Sequence, residues 1–560
     1  MSEDSDYWRT PSGVRRAYIA GRFGQVHYRV AGPGTAGRTP LVCFHPSPSS
    51  GRTYGALLRE MGRDRYAIAP DTPGFGESDP PPSAPEIADY AAAMGDFLDA
   101  LDIRLADILG HHTGSKVAVE LARQRPEKVR SLVLISAPIY TDDELARQKA
   151  HYGRVEIEAD GSHLQRRWQW MMRFRMASTP HTLVQRNIIE SLRGGEIAGW
   201  GHRAAFNYHH RENLPRLTQP VLVLNPHDDL HDQTARAKDL LNDGRVHDLP
   251  GWSHGFLEMQ AKETAAILRG FFDELERPVA PIRTINSGDC GAPAAGQTVR
   301  TFVDGAAGQI HLRRAGPVNP AAPPLVMLHM SPNSGRVFEA TVQEMGRDRT
   351  AIAIDTPGFG ESDAPARAPE IGDYAAAMAG VIKALGLGPV DVMGYHTGSM
   401  TAVELAHQYP SLVRRVIMIS APLYTPEEQA VRRARTKPEV YADDGSHLVE
   451  RWRFGRTFYG DDVPLAVYAR NYAEGGRGGP LAYWGHRAAF SHPLSERLAA
   501  LGQPNLVLRP HDDLVEQTAR AADLLQNGRV HDMPGFTHGM LDTRTAEIAA
   551  LLRSFLSPDT

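Results

Sequence analysis

Short apolar runs alternate with helix-length stretches along the first half of the chain. The runs are rich in Val, Ile and Leu, and they are QVHYRVAG, PLVCFH, YAIAPD, ADILGHH, SLVLISAP and PVLVLNP. Runs of this length and composition predict buried strands. The stretches between them, such as 87–101 and 115–124, are long enough for helices. Regular alternation of strand and helix predicts an α/β fold with a mostly parallel sheet covered on both faces.

The alternation stops between residue 139 and about residue 216. This stretch is rich in Arg, His and aromatic residues, and it precedes the apolar run PVLVLNP. Its place before a strand predicts a helical cap over the carboxyl edge of the sheet. Open α/β sheets bind their ligands at that edge, and segments outside the scaffold commonly carry function.

The second half of the chain repeats the first. AIAPDTPGFGESD at 67–79 recurs as AIAIDTPGFGESD at 351–363, and WGHRAAF at 200–206 recurs at 484–490. The offset of 284 positions is constant, so no net insertion or deletion has accumulated within a half. Two long copies cannot stack as a repeat array, and they predict two homologous domains.

The duplication also sets the expected domain boundaries. We expect one domain over 1–275 and a second over 298–560, the latter with its own cap over about 423–500. The segment between them, 276–297, is rich in Pro, Gly and Ala, a composition typical of a linker. Homologous domains often retain the contact of an ancestral two-fold pair. We therefore expect the halves to form an intramolecular pseudo-dimer, with further homo-oligomerisation left open.

The composition limits the classes of molecule that we expect the protein to bind. Among 560 residues, 61 are basic and 66 acidic, which gives a formal net charge of −5 and no basic excess to neutralise nucleic acid. No apolar run approaches the ~18 residues that span a bilayer, and the polar, acidic start lacks the apolar core of a signal peptide. Two cysteines are too few for a disulfide framework. We expect a cytoplasmic protein with a small-molecule substrate and neither nucleic acid nor membrane as partner.

Four motifs follow one another in each half. In the first half they are PLVCFHPSPSSG at 40–51, DTPGFGESD at 71–79, LGHHTGSKVAVELA at 109–122, and PHDDL followed later by PGWSHGFLE. In this order they resemble the oxyanion loop, the D-x-x-G-x-G-x-S loop, the nucleophile elbow, and the acid and histidine of the α/β-hydrolase superfamily. The resemblance is to the cap-bearing branch of haloalkane dehalogenases, epoxide hydrolases and C–C bond hydrolases. It implies two tandem α/β-hydrolase domains, each a mostly parallel sheet with flanking helices and a helical cap.

The nucleophile position departs from the family's pattern. Aligned on Gly110 and Gly114, that position is His112, and the second half has His396 there. A tight strand-to-helix turn needs small residues two before and two after its tip. The tip itself adopts a positive φ, where His is enriched among the residues other than Gly. We therefore expect an intact elbow that carries an imidazole in place of a hydroxyl.

The resemblance implies the remaining site residues. The acid is Asp229 or Asp513, with Asp228 and Asp512 as neighbouring alternatives, and it would orient the final histidine as in a Ser-His-Asp arrangement. The expected catalytic residues are His112, Asp229, His254, His396, Asp513 and His538. Backbone N–H groups of the oxyanion loop and the elbow would stabilise a developing oxyanion, and polar cap residues above a site commonly orient substrate. The candidates for these roles are His45, Ser47, Thr113, His329, Ser331 and Thr397, with the cap residues His163, Trp168, His202, His447, Trp452 and His486.

A metal site is an alternative interpretation of the histidines. Two His and a carboxylate form a recognised open metal triad, and His112, His254, Asp229 and His45 could converge. However, these ligands would come from separate loops without a local metal motif, and the family that the chain resembles does not normally use a metal. We therefore expect neither a metal nor another cofactor.

These residues predict an enzyme that cleaves an ester, C–C or related bond in a small organic substrate, with a His-His-Asp constellation in each half. A neutral imidazole can attack an activated carbonyl and give a labile acyl-imidazole that water then clears. Two alternatives remain open. One is a non-hydrolytic lyase or decarboxylase in which the two imidazoles act as acid and base. The other is a non-catalytic ligand-binding protein that has lost its nucleophile.

Overall fold

Each half of the protein forms one eight-stranded sheet. The computed structural model describes residues 3–34, 37–151, 157–276, 297–317 and 320–557. The strands of the first half are β1 (Val14–Gly21), β2 (Gly24–Ala31), β3 (Leu41–Phe44), β4 (Ala67–Pro70), β5 (Ala106–His111), β6 (Val129–Ile135), β7 (Val221–Pro226) and β8 (Gly244–Leu249). Those of the second half are β9 (Val299–Gly305), β10 (Gly308–Ala315), β11 (Ala322–Leu328), β12 (Arg349–Ile354), β13 (Val390–Tyr395), β14 (Val413–Ile419), β15 (Asn505–Pro510) and β16 (Gly528–Met533).

The two sheets have the same topology. The strand order is β1-β2-β4-β3-β5-β6-β7-β8 in the first and β9-β10-β12-β11-β13-β14-β15-β16 in the second. Strands β1 and β2 are antiparallel to their neighbours, whereas β3 to β8 are mutually parallel. The predicted α/β fold with a mostly parallel sheet is therefore confirmed in each half.

Helices cover both faces of each sheet. In the first half they are α1 (Gly55–Met61), α2 (Ile87–Ala100), α3 (Thr113–Gln124), α4 (Asp142–His151), α5 (Ser162–Phe174), α6 (His181–Leu192), α7 (Trp200–Asn207), α8 (His210–Asn213), α9 (His231–Ala235), α10 (Phe256–Met259) and α11 (Ala261–Asp273). Side chains alternate between the two faces along a buried strand. In β3, Val42 and Phe44 join the core beneath α2 and α3, while Leu41 and Cys43 join the core beneath α1 and α11.

The second half repeats this arrangement. Its helices are α12 (Glu339–Met345), α13 (Ile371–Ala384), α14 (Thr397–Gln408), α15 (Pro426–Arg435), α16 (Ser446–Arg456), α17 (Leu465–Gly476), α18 (Tyr483–Ala489), α19 (Leu494–Ala499), α20 (Val515–Ala519), α21 (Met540–Thr543) and α22 (Thr545–Leu556). No helix among the described residues is both long and apolar enough to cross a membrane. The linker predicted over 276–297 lies outside the described residues except for its two end positions.

In each half, five helices are inserted in the connection between two neighbouring parallel strands. We call α4–α8 and α15–α19 the insert helices; they lie between β6 and β7 and between β14 and β15, respectively. Their position corresponds to the caps predicted at about 139–216 and 423–500. They reach beyond their own sheet, because α5 contacts α16 and α6 contacts α17 of the other half.

A buried ionic network joins the two halves. It consists of four residues and their counterparts 284 positions later, namely Arg29, Glu77, Glu190 and Arg193 with Arg313, Glu361, Glu474 and Arg477, all buried. Arg29 pairs with Glu361 at 2.9 Å, and in the reciprocal contact Arg313 pairs with Glu77 at 2.9 Å. Arg52 and Arg336 add ion pairs to Glu190 and Glu474 at 3.1 and 3.2 Å, so every carboxylate of this set contacts more than one guanidinium group. We call this set the inter-half ion network.

The insert helices of the two halves share an apolar core. Trp168 Nε1 donates to the carbonyl oxygen of Asp443 at 2.8 Å, and Trp452 Nε1 donates to that of Ala159 at 2.9 Å. Both indoles are almost fully buried. Leu164, Ile188, Leu448, Tyr468 and Tyr472 pack in the same cluster. The reciprocal indole contacts give this part of the interface the same two-fold relation as the ion network.

Candidate active site

A sharp turn between a strand and a helix places His112 at the carboxyl edge of the first sheet. Strand β5 ends at His111 and α3 begins at Thr113, so His112 alone forms the tip, with φ of 51°. A Cβ atom on Gly114 would lie 2.1 Å from a carbonyl oxygen of β3, and one on Gly110 would lie 2.3 Å from the Gly114 carbonyl oxygen. Only glycine fits on either side of the tip.

The tip of the second half has the same geometry. His396 follows β13 and precedes α14, with φ of 49°. Its flanking glycines are equally constrained, because a Cβ on Gly398 would lie 2.0 Å from a carbonyl oxygen of β11. Both halves therefore present an imidazole at the position that an elbow nucleophile would take.

Two imidazoles and two carboxylates meet beside the first tip. His254 Nε2 lies 2.7 Å from Asp229 Oδ1, a hydrogen bond. His112 Nε2 lies 3.7 Å from Asp228 Oδ2, too far for a hydrogen bond. Among the residues that the structure describes, this buried Nε2 has no hydrogen-bond partner. One nitrogen or oxygen from each of the four side chains lies within 4.8 Å of all the others, and we call this set the N-terminal cluster.

The second half contains an equivalent set, the C-terminal cluster, formed by His396, Asp512, Asp513 and His538. His538 Nε2 lies 2.9 Å from Asp513 Oδ1, and His396 Nε2 lies 3.1 Å from Asp512 Oδ2. His396 Nε2 is also 3.8 Å from Asp513 Oδ1. The donor and acceptor atoms are therefore the same in both clusters, and the C-terminal one is slightly more compact at its elbow histidine.

The orientation of the rings differs from that of a Ser-His-Asp triad. In a triad the acid binds the Nδ1–H of the histidine, and Nε2 faces the nucleophile. In this protein Nε2 of His254 faces Asp229, and Nε2 of His112 faces Asp228. Both ring tips therefore point at carboxylates and towards one another. The structure places Asp229 beside His254, as the sequence suggests, but through the other ring nitrogen.

Asp228 and Asp512 belong to the site, although the sequence gives them only as alternatives. The Ser136 hydroxyl donates to Asp228 Oδ2 at 2.5 Å, and the Leu230 backbone N–H donates to Oδ1 at 2.9 Å. Asp512 is held by Ser420 in the same way. The available signal was the adjacent pair of aspartates, which occurs as HDDL in both halves. The aspartates serve two different histidines, so neither replaces the other.

Ionic interactions within the clusters shift the pKa of their members. Burial, the largest influence, lowers the pKa of His254, but the hydrogen bond and charge of Asp229 and the charge of Asp228 outweigh it and raise that pKa. Burial raises the pKa of Asp229, but the His254 hydrogen bond and the neighbouring imidazoles bring it below its usual value. For His396, the hydrogen bond that it donates to Asp512 and the two carboxylate charges likewise overcome burial and raise the pKa. The carboxylates thus raise the pKa of one histidine in each cluster.

His45 and His329 hold the shape of the oxyanion loops. His45 Nε2 accepts the Thr72 backbone N–H at 2.9 Å, and Nδ1 donates to the Pro46 carbonyl oxygen at 2.9 Å. Burial lowers the pKa of His45, which keeps the ring neutral. His329 makes the same two bonds in the second half. Both ring nitrogens are used by the backbone, so these histidines position the loop and are not free for proton transfer.

A cavity of about 530 Å³ lies over the N-terminal cluster. Its walls combine the sheet edge with insert helices, and among the candidates they include Ser47, His112, Thr113, His202, Asp229 and His254. Burial, together with the neighbouring Arg167, His112 and Lys116, lowers the pKa of His202 to about 3. His486, its counterpart, has a pKa lowered to about 4 by burial and by His396.

Lys116 also lines this cavity and was not predicted from the sequence. It lies one helical turn after His112 on α3 and is buried, with its Nζ 5.9 Å from the centre of the Tyr140 ring. Burial lowers the pKa of its amine to about 7. The corresponding residue in the second half is Met400. The two halves therefore share the clusters but differ in charge at this position.

The structure does not bring four of the predicted substrate-binding residues to this cavity. Trp168 and Trp452 lie in the apolar core between the halves, and His163 and His447 pack edge-on against the indole of the opposite half, at ring distances of 5.0 and 4.7 Å. His447 Nε2 also lies 3.1 Å from Gln185 Oε1. Their recurrence in both halves reflects the contact between the halves, because each copy of the indole needs the same partners.

Comparison with known proteins agrees with this architecture. The family described as alpha/beta hydrolase fold matches residues 39–168 and, separately, residues 323–446. Each matched region contains the oxyanion loop and the elbow of one sheet. The chain carries two tandem α/β-hydrolase domains. This tandem α/β-hydrolase therefore has the superfamily's scaffold twice, with histidine at both elbow tips.

Several curated relatives of the tandem α/β-hydrolase are enzymes. It is 37% identical over 103 residues to 2-hydroxymuconate semialdehyde hydrolase of Pseudomonas sp. strain CF600, covering 18% of this chain and 36% of that protein. It is 29% identical over 270 residues to a non-heme chloroperoxidase of Burkholderia pyrrocinia, covering 44% and 95%. An uncharacterized protein of Mycobacterium tuberculosis is 35% identical over 136 residues, covering 24% and 36%. The chain thus spans about a third of the length of the first relatives.

Solved structures of similar proteins each cover about half of the chain. One is E-2-(acetamidomethylene)succinate hydrolase, with 24% identity, a TM-score of 0.38, and coverage of 46% of this chain and 99% of that one. Another is the enol-lactonase from Burkholderia xenovorans LB400, with 18% identity, a TM-score of 0.40, and coverage of 46% and 100%.

Proposed function

We propose that the tandem α/β-hydrolase cleaves an ester, C–C or related bond in a small organic substrate, and that water is the attacking group. The family match and the hydrolases among its relatives support an enzyme of this fold. The observation that carries the proposal is the N-terminal cluster, which occupies the floor of a cavity at the position where the superfamily keeps its nucleophile.

The elbow supports water rather than a side chain as the nucleophile. The Nε2 atom of His112 faces Asp228 within the cluster, so it does not point into the open cavity as an attacking atom would. The nearby Ser115 hydroxyl is fully buried and donates to the His112 carbonyl oxygen at 2.6 Å. A water molecule held against the imidazoles and carboxylates can lose a proton to them while it attacks a carbonyl carbon.

The surroundings of the cluster suit an acyl substrate. Thr113 is the first residue of α3, and the first N–H groups of a helix have no partner within the helix. Such N–H groups, aimed at a carbonyl oxygen, stabilise the charge that develops there. A volume of about 530 Å³ matches the usual size of small-molecule sites. In this proposal the insert helices act as a cap that closes the cavity over the bound substrate.

The proposal is tested by hydrolysis of an ester, thioester, lactone and β-diketone panel in ¹⁸O-labelled water. Wild type is compared with Asp229→Asn/Asp513→Asn and with a matched control, His247→Ala/His531→Ala, which changes equivalent residues outside the clusters. We expect ¹⁸O in the product acid, no acyl adduct in the intact mass, and a rate at least ~100-fold lower only in the aspartate variant.

Three results would contradict it. An acyl adduct on His112 or His396 would make the imidazole the nucleophile. Cleavage of the ester, thioester or lactone without ¹⁸O incorporation would indicate an elimination and therefore a lyase. Equal rates in the aspartate variant and the control would place the reaction outside the clusters.

A further inference from the structure

We propose that each cluster is a binding site for one divalent transition-metal cation of the zinc class. The cation would take the place of the elbow nucleophile by holding the attacking water. The catalytic role of the cation rests on the proposed function, whereas its binding does not. The expectation from the sequence was that no metal is needed, because the ligands lie on separate loops. The structure brings those loops together twice.

The geometry of the four side chains is that of a ligand set. Zinc binds imidazole nitrogen and carboxylate oxygen at about 2.0–2.2 Å, so tetrahedral ligand atoms lie about 3.4 Å apart. In the C-terminal cluster, His396 Nε2 lies 3.1 Å from Asp512 and 3.8 Å from Asp513, and His538 Nε2 lies 2.9 Å from Asp513. These distances bracket the value for a shared cation. The remaining pairs of ligand atoms lie within 4.8 Å of one another, so binding would draw the four side chains together around the cation.

The ring orientation separates this arrangement from a proton relay. A relay uses the two nitrogens of a histidine in series, with the acid on one side and the reacting group on the other. Here the Nε2 atom of each histidine faces one of two adjacent carboxylates, Asp229 for His254 and Asp228 for His112. In the N-terminal cluster, the buried Nε2 of His112 has no hydrogen-bond partner among the described residues. A buried nitrogen lone pair without a partner is uncommon, and a cation supplies the missing partner.

The donor set matches the chemistry of such a cation. Imidazole suits zinc and its neighbours in the first transition row, and carboxylates complete a site of two nitrogens and two oxygens. With both imidazoles neutral, the two carboxylates give the N-terminal cluster two negative charges, which one divalent cation neutralises. Because the cluster lines the cavity, water can add to the four protein ligands as a fifth ligand on the cavity side.

A second layer of hydrogen bonds holds the ligands. Ser136 and Ser420 donate to Asp228 and Asp512 at 2.5 Å. Both serines adopt a positive φ, 45° and 57°, which is unusual for a residue other than glycine. Donors that fix ligand orientation are a regular part of metal sites. Between the two halves this layer and the clusters stay the same, whereas the wall residues Lys116 and Met400 differ.

A bound cation would explain the loss of the hydroxyl nucleophile. Coordination makes water acidic enough to supply hydroxide near neutral pH. The hydroxide oxygen forms the new bond to the carbonyl carbon, the scissile bond breaks, and the leaving group takes a proton from solvent. The water proton released on coordination also passes to solvent, so the step balances without an oxidant or a reductant.

The test uses full-length protein freed of metal by dialysis against a chelator and then titrated with Co²⁺, with Zn²⁺ stoichiometry measured by equilibrium dialysis. We expect two cations per chain in wild type and visible Co²⁺ absorption of a four- or five-coordinate site. His254→Ala should retain one cation, and His254→Ala/His538→Ala should lose at least ~100-fold in affinity at both sites. The matched control is His247→Ala/His531→Ala, which should retain two, and circular dichroism checks the folding of every variant.

Fewer than about 0.2 cations per chain in wild type would overturn the inference, as would equal stoichiometry in the double variant and the control. Hydrolysis is measured on the same samples so that the two proposals are separable. If chelated protein binds no added cation and still hydrolyses its substrate, the metal inference fails and the proposed function stands. If two cations bind and no substrate is cleaved, the proposed function fails and the metal inference stands.

Discussion

Replacing Arg477 with Met should destabilise the whole chain, because Arg477 belongs to the inter-half ion network. Its guanidinium pairs with Glu77 at 3.2 Å and with Glu474 at 2.9 Å, and it also contacts Glu361. The change removes a buried guanidinium that contacts three of the four buried glutamates. Removing one partner of a buried ion pair typically costs about 3–5 kcal/mol, because an uncompensated charge remains.

The expected shift can be measured by thermal unfolding. A chain of 560 residues has an unfolding entropy of about 1.2 kcal/mol/K, so the loss corresponds to a fall in Tm of roughly 3–4 °C. The matched control is Arg15→Ala, which removes another ion pair between the halves. Arg15 and Asp304 lie 2.7 Å apart, but their side chains are 56% and 71% exposed. An exposed pair contributes at most about 1 kcal/mol, so the control should shift Tm by less than 1 °C.

A double variant distinguishes the loss of ionic interactions in the network from the loss of side-chain packing. Glu77→Gln removes a carboxylate that Arg477 contacts directly, so the destabilisation of the double variant should fall short of the sum of the single effects by at least ~1 kcal/mol. Equal Tm values for Arg477→Met and Arg15→Ala would refute the reasoning. Strict additivity of the two network variants would do the same, since it would mean that the charges do not interact.

Three further predictions concern single positions. Because its amine has a pKa of about 7, Lys116 should react with a small acylating reagent along a curve with its midpoint near pH 7. At that pH, peptide mass mapping should show that Lys116 is labelled about 10³ times faster than lysines of ordinary pKa. Equal labelling rates would contradict the lowered pKa. Gly114→Ala forces a Cβ to within 2.1 Å of a backbone carbonyl oxygen and should cost ~3 kcal/mol in denaturant unfolding. Gly270→Ala places its Cβ where nothing lies within 4 Å and should not lower the free energy of unfolding. Similar losses of stability in the two variants would contradict the steric requirement for glycine at position 114. Trp168→Ala should lower the free energy of unfolding by about 3–5 kcal/mol. Trp170→Ala should lower it far less, because Trp170 is 41% exposed. A lower denaturation midpoint for the Trp170 variant than for the Trp168 variant would exclude Trp168 from the shared core.

The sequence predicts the central strands better than the edges of the sheets. Strands β3 to β7 are buried on both faces, so their apolar runs stand out. Strand β8 is an edge strand whose residues are largely exposed, and its sequence GRVHDL has no apolar pattern. Strand β1 contains Arg15 and Arg16, and the buried Arg16 pairs with Asp363 and Glu361 of the other half. A tertiary partner in the second copy cannot be recognised from the local pattern.

The candidate site shows the same division. Histidine at the elbow and the order of acid and histidine follow from motifs within single loops. The convergence of the two Nε2 atoms does not, because it depends on how three loops meet at the sheet edge. The indoles Trp168 and Trp452 were assigned to substrate because they lie in the predicted caps. Their partners, the carbonyl oxygens of Asp443 and Ala159, are close only after the halves assemble.

The reciprocal tryptophan contacts also bear on how the two copies can change over time. In a dimer made from one gene, every substitution appears in both subunits at once. Here both copies lie in one chain, so the shared core constrains each copy to keep its partner, whereas the residues around either cluster can mutate in one copy alone. His111 and Lys116 correspond to Tyr395 and Met400 of the second copy. Fusion thus allows the polarity around the two clusters to diverge without loss of the common interface.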